Sequence, residues 1–212
     1  MAAKKTKPAR ERIMTAFTES VTEESWRQTT VAGIIEAAGV GLADYYREFD
    51  GKASLARALS RQVTAEALAN LDTFDPEDPP RDRLFEVLMA RFDALNPIKE
   101  TVRAIVRASP SDPMLAAEMA CATGHAMAQA LDAAKLPSGG LLDPARVQAL
   151  GLAYLSTVRV WLADDTPDMA KTMAHLDRQL GRLDRLAAFL DRDRTPPSEA
   201  APDQGEASQA QT

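Results

Sequence analysis

Few side chains in this sequence stand at spacings that suggest reaction chemistry. Cys121 and His125 are four apart, on one face of any helix that carries them, as a nucleophile and base or two metal ligands would be. With one Cys and two His in the chain, however, a closed zinc site cannot be assembled, and His175 reads as a surface or interface residue. Asp164, Asp165 and Asp168 could gather a cation, but acids at the start of a helix are already favoured by its dipole. Gly51–Lys52–Ala53–Ser54 ends like a phosphate loop without the upstream glycines or the preceding strand. No Ser/His/Asp set and no paired carboxylates stand out. The reading is therefore no enzyme, no metal and no cofactor. Tyr46, Phe49 and Lys52 are more informative. They follow a glycine turn at intervals of three.

The elements that would position these residues are helices. Hydrophobic residues make up 45% and charged residues 26% of the 212, the balance of a soluble globular protein. Aromatics are only 5%, and the alternation that strands need is missing, so the fold class is all-α. A single cysteine excludes an internal disulfide. No stretch is long and apolar enough to span a membrane, and the basic start, MAAKKTKPARER, is followed by no apolar run. The expected compartment is the cytoplasm.

Punctuation divides the chain into nine helices. The first is 10–21, with Ile13, Phe17 and Val21 on one face. Val31–Ala38 follows, capped by Thr29 or Thr30 and stopped at Gly39. Leu42–Phe49 comes after the turn Gly39–Val40–Gly41, and a longer helix begins at Lys52. The acidic, proline-rich segment 72–80 is a linker. Beyond it lie helices at 81–95, 98–108, 114–135, 144–162 and 166–190, the last with Thr166 as cap and Pro167 in its first turn. This gives a basic arm at 1–9, a small unit at 10–61, a larger helical domain at 62–194 and a polar tail at 195–212.

A helix, a glycine turn and a second helix form a helix-turn-helix, in which the second helix keeps an outer face free for the DNA major groove. The span 29–55 resembles the DNA-binding module of the TetR regulator family. Thr30 precedes the first helix, Ala38–Gly39–Val40 forms the turn, and Tyr46, Phe49 and Lys52 match the family's Tyr-x-x-Phe-x-x-Lys signature. Upstream, Arg12–Ile13 and Ala16–Phe17 match the opening helix. The resemblance covers about residues 8–60. It implies a mini-core of Ile34, Val40 and Phe49, and DNA contacts from Thr30, Gly41, Leu42, Ala43, Tyr45, Tyr46 and Lys52. Tyr46 and Lys52 would hold phosphates, while Leu42, Ala43 and Tyr45 would face the groove. The would-be recognition helix, LADYYREFD, carries Asp44, Glu48 and Asp50 against Arg47 alone, so much of the positive charge falls to Lys4, Lys5 and Lys7.

In the larger domain, Met169, Met173, Leu176, Leu180, Leu183, Ala187 and Leu190 step alternately by four and three, the spacing of a heptad seam. It predicts a homodimer interface made with the helix at 144–162. A Met- and Ala-rich helix at 114–135 suggests an adaptable apolar pocket lined by Met119, Met127 and Leu131 with Phe92, Tyr154 and Trp161. Segments 81–97 and 154–180, with Trp161–Leu162, the Asp165–Asp168 turn and Thr172, also resemble the lipid-binding accessory family of coenzyme Q (ubiquinone) biosynthesis. That resemblance implies an isoprenoid ligand, a membrane surface and a quinone hydroxylase as partners. The first expectation is a homodimeric regulator that binds double-stranded DNA and senses a small apolar ligand. The alternative is a lipid-binding accessory protein that keeps a relic helix-turn-helix.

Overall fold

The computed structural model describes residues 7–71, 74, 77–136 and 143–192, without the side chains of 187–192. The linker in part, the tail, Lys4 and Lys5, and the side chains of Ala187 and Leu190 lie outside the described residues. Within them the regular elements are helical, in the expected all-α arrangement. They are α1 (Ala9–Glu24), α2 (Val31–Ala38), α3 (Leu42–Glu48), α4 (Lys52–Ala69), α5 (Pro80–Leu95), α6 (Lys99–Ala108), α7 (Pro113–Ala133), α8 (Asp143–Leu162) and α9 (Ala170–Arg192). Single 3-10 turns at Asn96–Ile98 and Ser109–Ser111 lead into and out of α6.

Two apolar cores organise the chain. In the first, Ile13, Phe17 and Val21 of α1 meet Ile34 of α2, Tyr45 of α3, Phe49 directly after α3, and Leu55 of α4. This core is completed by Ile105 of α6 and Leu115 of α7, so the N-terminal unit does not close on itself. In the second, Leu88 and Phe92 of α5, Met127 of α7, Leu150, Tyr154 and Trp161 of α8, and Leu176 and Leu180 of α9 pack together. Helix α4 enters both: Leu55 and Leu59 belong to the first core, Val63 to the second.

The start of α9 and the heptad seam both depart from expectation. Helix α9 begins at Ala170, not Thr166. The reason is Asp164, only 2% exposed, whose carboxylate accepts from the backbone N–H and the hydroxyl of both Thr166 and Thr172. These four bonds fold residues 164–169 into a loop before the helix, and Thr166 Oγ1 accepts from the Ala170 amide at 3.0 Å. Burial by itself would push the Asp164 carboxyl up. The hydroxyls of Thr166 and Thr172 and their two amides outweigh it and hold the group well below the ordinary carboxylate range.

The seam turns inward. Met169, Leu176 and Leu180 are 7%, 0% and 3% exposed within the single chain, because α9 lies on α8 and α5. Met173 and Leu183 are half-buried, and Leu183 packs on the same core. The expected dimer seam is thus largely the chain's own core. Among the described residues, the large apolar side chains left outward on this pair of helices are Leu152 and Leu155 of α8 and Leu186 of α9, at 69%, 44% and 54% exposure.

Candidate nucleic-acid interface

Helices α2 and α3 are held by local devices. Thr30 caps α2, its hydroxyl accepting from the Gly33 amide at 3.1 Å, an arrangement worth about 1 kcal/mol. Gly39 ends α2 at φ +59°, and the Val40 amide reaches back to the Ile35 carbonyl at 3.2 Å. A side chain at Gly39 would also meet the Arg12 guanidinium, since an added Cβ would lie 2.7 Å from Nη2. That guanidinium donates to the Gly39 carbonyl at 2.6 Å and so ties α1 to the turn. Helix α3 starts at Gly41 with no side-chain cap.

Leu42 and Tyr46 are 59% and 55% exposed, and Ala43 and Gly41 are exposed beside them. Leu42, Ala43 and Tyr46 form the outer surface of α3. Tyr45 does not share it: its ring is fully buried, 5.3 Å from that of Tyr46 and 5.9 Å from that of Phe49. On a helix this short, one face must close the core, and position 45 falls on that face with Phe49 four residues on. The Tyr45 hydroxyl is buried with no hydrogen-bond partner, and burial, then Tyr46, push its pKa up to about 12. Ile34 and Phe49 are core residues and Val40 packs at their edge.

Lys52, expected to hold a phosphate, makes its contacts within the chain. Its Nζ donates to the Trp26 carbonyl at 2.7 Å and the Thr29 carbonyl at 3.0 Å, 4.4 Å from the centre of the Trp26 ring. Two carbonyls and an aromatic face draw the ammonium inward. Burial lowers its pKa, against the opposing charge of Asp112. Three other bases of this unit are paired. Arg10 pairs with Glu48 at 3.3 Å, Arg47 with Asp44 at 2.8 Å, and Arg57 with Glu118 of α7 at 3.2 Å. A groove of about 370 Å³ between α1 and α2 is lined by Glu19, Glu23, Glu24 and Glu36 beside Thr30. Much of the charge that would meet phosphates is therefore held in internal pairs and bordered by acids.

Asp112 was not among the sequence candidates. Its Oδ1 accepts from the Leu115 amide at 3.0 Å, capping α7, and its Oδ2 accepts from Trp26 Nε1 at 2.9 Å. An Asp directly before a Pro that opens a helix is a readable signal of a cap. Its tie to Trp26, 86 residues away, leaves no local trace.

The six expected pocket residues do not form one wall. Phe92, Met127, Tyr154 and Trp161 are buried in the second core, Leu131 packs at its edge, and Met119 borders the first core instead. The ring of Phe92 lies 5.5 Å from that of Tyr154 and 5.9 Å from that of Trp161. Trp161 Nε1 donates to Asn96 Oδ1 at 2.8 Å. Arg91, missed because a lone basic residue in an amphipathic helix reads as solvated, is only 6% exposed and bonds to Tyr154 and to α4. Cys121 is exposed, and His125 Nδ1 lies 2.8 Å from the Cys121 carbonyl oxygen. Among the described residues no three potential ligands gather for a metal, and no helix is long and apolar enough to cross a membrane.

No family model matches the sequence, nor does any curated protein. Solved structures do match. A TetR transcriptional regulator from Nitrosomonas europaea is 19% identical, with a TM-score of 0.66 over 86% of this chain and 99% of its own. A TetR regulator from Rhodococcus sp. RHA1 is 18% identical, with a TM-score of 0.63 over 83% of this chain and 95% of its own. A TetR-family regulator from Streptomyces coelicolor is 19% identical, with a TM-score of 0.59 over 91% and 86%. At these identities the likeness shows the fold: the chain has the TetR-like all-helical architecture.

Proposed function

We propose that this chain is a transcriptional regulator that binds double-stranded DNA as a homodimer and responds to a small apolar ligand. The observation that carries the reading is the outer face of α3. Leu42 and Tyr46 stand exposed on a short helix whose opposite side, through Tyr45, is locked into the core. An exposed leucine there suits a thymine methyl, and a phenol suits a phosphate oxygen. Two such helices in a dimer would read half-sites about one helical turn apart.

The outward Leu152, Leu155 and Leu186 support α8 and α9 as the dimer surface, since apolar side chains grouped on adjacent helices favour burial against a copy of themselves. A regulator of this kind works where the DNA is, in the cytoplasm. The lipid-accessory reading is not favoured. The residues that suggested it have structural work here: Trp161 bonds Asn96, and Thr166 and Thr172 bond Asp164.

Selection of random duplex DNA on the purified protein at about 150 mM salt, where weak phosphate attraction is already suppressed, tests the proposal. A palindromic sequence is the expected product. A folded dimer that enriches nothing would overturn the DNA-binding reading.

A further inference from the structure

Arg91 projects from α5 into the space between α4 and α8, and only 6% of it is exposed. Its Nε donates to the Tyr154 hydroxyl at 3.1 Å and its Nη2 to the Ser60 hydroxyl at 2.8 Å. Its Nη1 donates to the Ser60 carbonyl at 3.4 Å and to the Thr64 hydroxyl. Each of these acceptors is neutral. None of the ion pairs among the described residues includes Arg91.

A buried guanidinium without a counter-charge is costly, because neutral hydroxyls do not replace the lost hydration of a full charge. The cluster also holds more donors than acceptors. The Thr64 hydroxyl proton goes to the Ser60 carbonyl. The hydroxyl protons of Ser60 and Tyr154, and the second N–H on Nη2, have no acceptor among the described residues. One positive charge and three spare donors converge: the charge calls for an anion, and the donors call for oxygen acceptors such as an anion would carry.

We propose that Arg91, Tyr154 and Ser60 form the site for the carboxylate of an apolar monocarboxylic acid. The charge sets the class. One carboxylate balances one guanidinium, whereas a phosphate monoester would leave a second charge uncompensated within an apolar core. The apolar body would lie in that core, where Val87, Leu88, Phe92 and Val158 belong to the same cluster as Tyr154 and the Phe92 ring lies 5.5 Å from that of Tyr154. This inference rests on the ligand-sensing half of the proposed function and gives that ligand a chemical class. In the arrangement described, the Thr64 hydroxyl and the Ser60 carbonyl of α4 take the Nη1 bonds that the carboxylate would take, while the Ser60 hydroxyl stays in the site. Entry of the acid would free the middle of α4, whose first turns belong to the core of the DNA-reading unit.

The test is isothermal titration of the full-length protein with butanoate, octanoate, dodecanoate, hexadecanoate and benzoate, each paired with its primary alcohol. At least one carboxylate should bind about tenfold or more tightly than its alcohol, the difference expected for a charge-assisted hydrogen-bond set. Dodecyl phosphate should bind more weakly than dodecanoate. Arg91→Met should abolish the preference for the acid. If that variant does not fold, Tyr154→Phe and Ser60→Ala serve, each lowering carboxylate affinity several-fold and leaving the alcohol unchanged. The assignment is overturned if no carboxylate exceeds its alcohol, if the phosphate is preferred, or if the preference survives loss of the site residues. The titration contains no DNA. A carboxylate preference with no enriched duplex would keep the site and remove the regulator reading, and the converse would do the reverse.

Discussion

Lys52 and Trp26 join the start of α4 to the connector before α2: the ammonium donates to the Trp26 carbonyl at 2.7 Å and lies 4.4 Å from the centre of its ring. The same indole donates to Asp112 at 2.9 Å, at the first turn of α7. Three helix starts thus meet at one tryptophan.

Lys52→Ala is therefore expected to act on stability first. It removes the donor from two carbonyls and the cation from the ring face, a loss of about 1–3 kcal/mol. Urea unfolding should show it as a lower midpoint at unchanged slope. Weaker DNA binding at unaltered stability would return Lys52 to the role of a phosphate contact.

Two substitutions separate contact from charge at α3. Tyr46→Phe should weaken all duplexes alike, by roughly threefold to tenfold, with the salt dependence unchanged, because a neutral hydroxyl releases no counterion. Glu48→Gln breaks the pair with Arg10, 3.3 Å long and exposed on both sides, and leaves that guanidinium free for phosphate. Affinity should rise and its salt dependence steepen by about one counterion. Fluorescence anisotropy with a selected duplex at several salt concentrations measures both.

Leu152→Arg should turn a dimer into a monomer without altering the fold, since Leu152 is 69% exposed in the single chain. Light scattering after gel filtration gives the mass, and circular dichroism gives the helix content. An unchanged dimer would move the interface off α8.

Asp164 predicts an acid dependence. Its folded-state carboxyl is held below the ordinary value, so it stabilises the fold above the unfolded pKa of about 4. That stabilisation is lost as pH falls toward the folded value. Thermal unfolding between about pH 7 and pH 3 should show a steeper acid decline for the native chain than for Asp164→Asn, which begins lower and falls less.

Local signals made the helices legible. Thr30 as a cap and Gly39 as a stop each fix backbone geometry within a few residues of themselves. The periodicity of α9 was legible, but not what covers it. An apolar stripe is the same whether it meets its own chain or a second one, and Leu176 at 0% exposure answers for its own. Tyr45 and Tyr46 are adjacent and chemically alike. Only the packing of α3 on α1 decides which is core and which is surface. The inward contacts of Lys52 and Arg91 were not legible for one reason: the acceptors, Trp26 and Thr29 for the first and Ser60 and Tyr154 for the second, lie 23 to 63 residues away.

Helix α4 contributes Leu55 and Leu59 to one core and Val63 to the other, and Ile105 and Leu115 close the first from the far side. A fragment cut after residue 61 would expose the apolar faces that these two residues cover. The chain should melt in a single cooperative step, and native-state hydrogen exchange should find the amides of α4 opening only with the whole molecule.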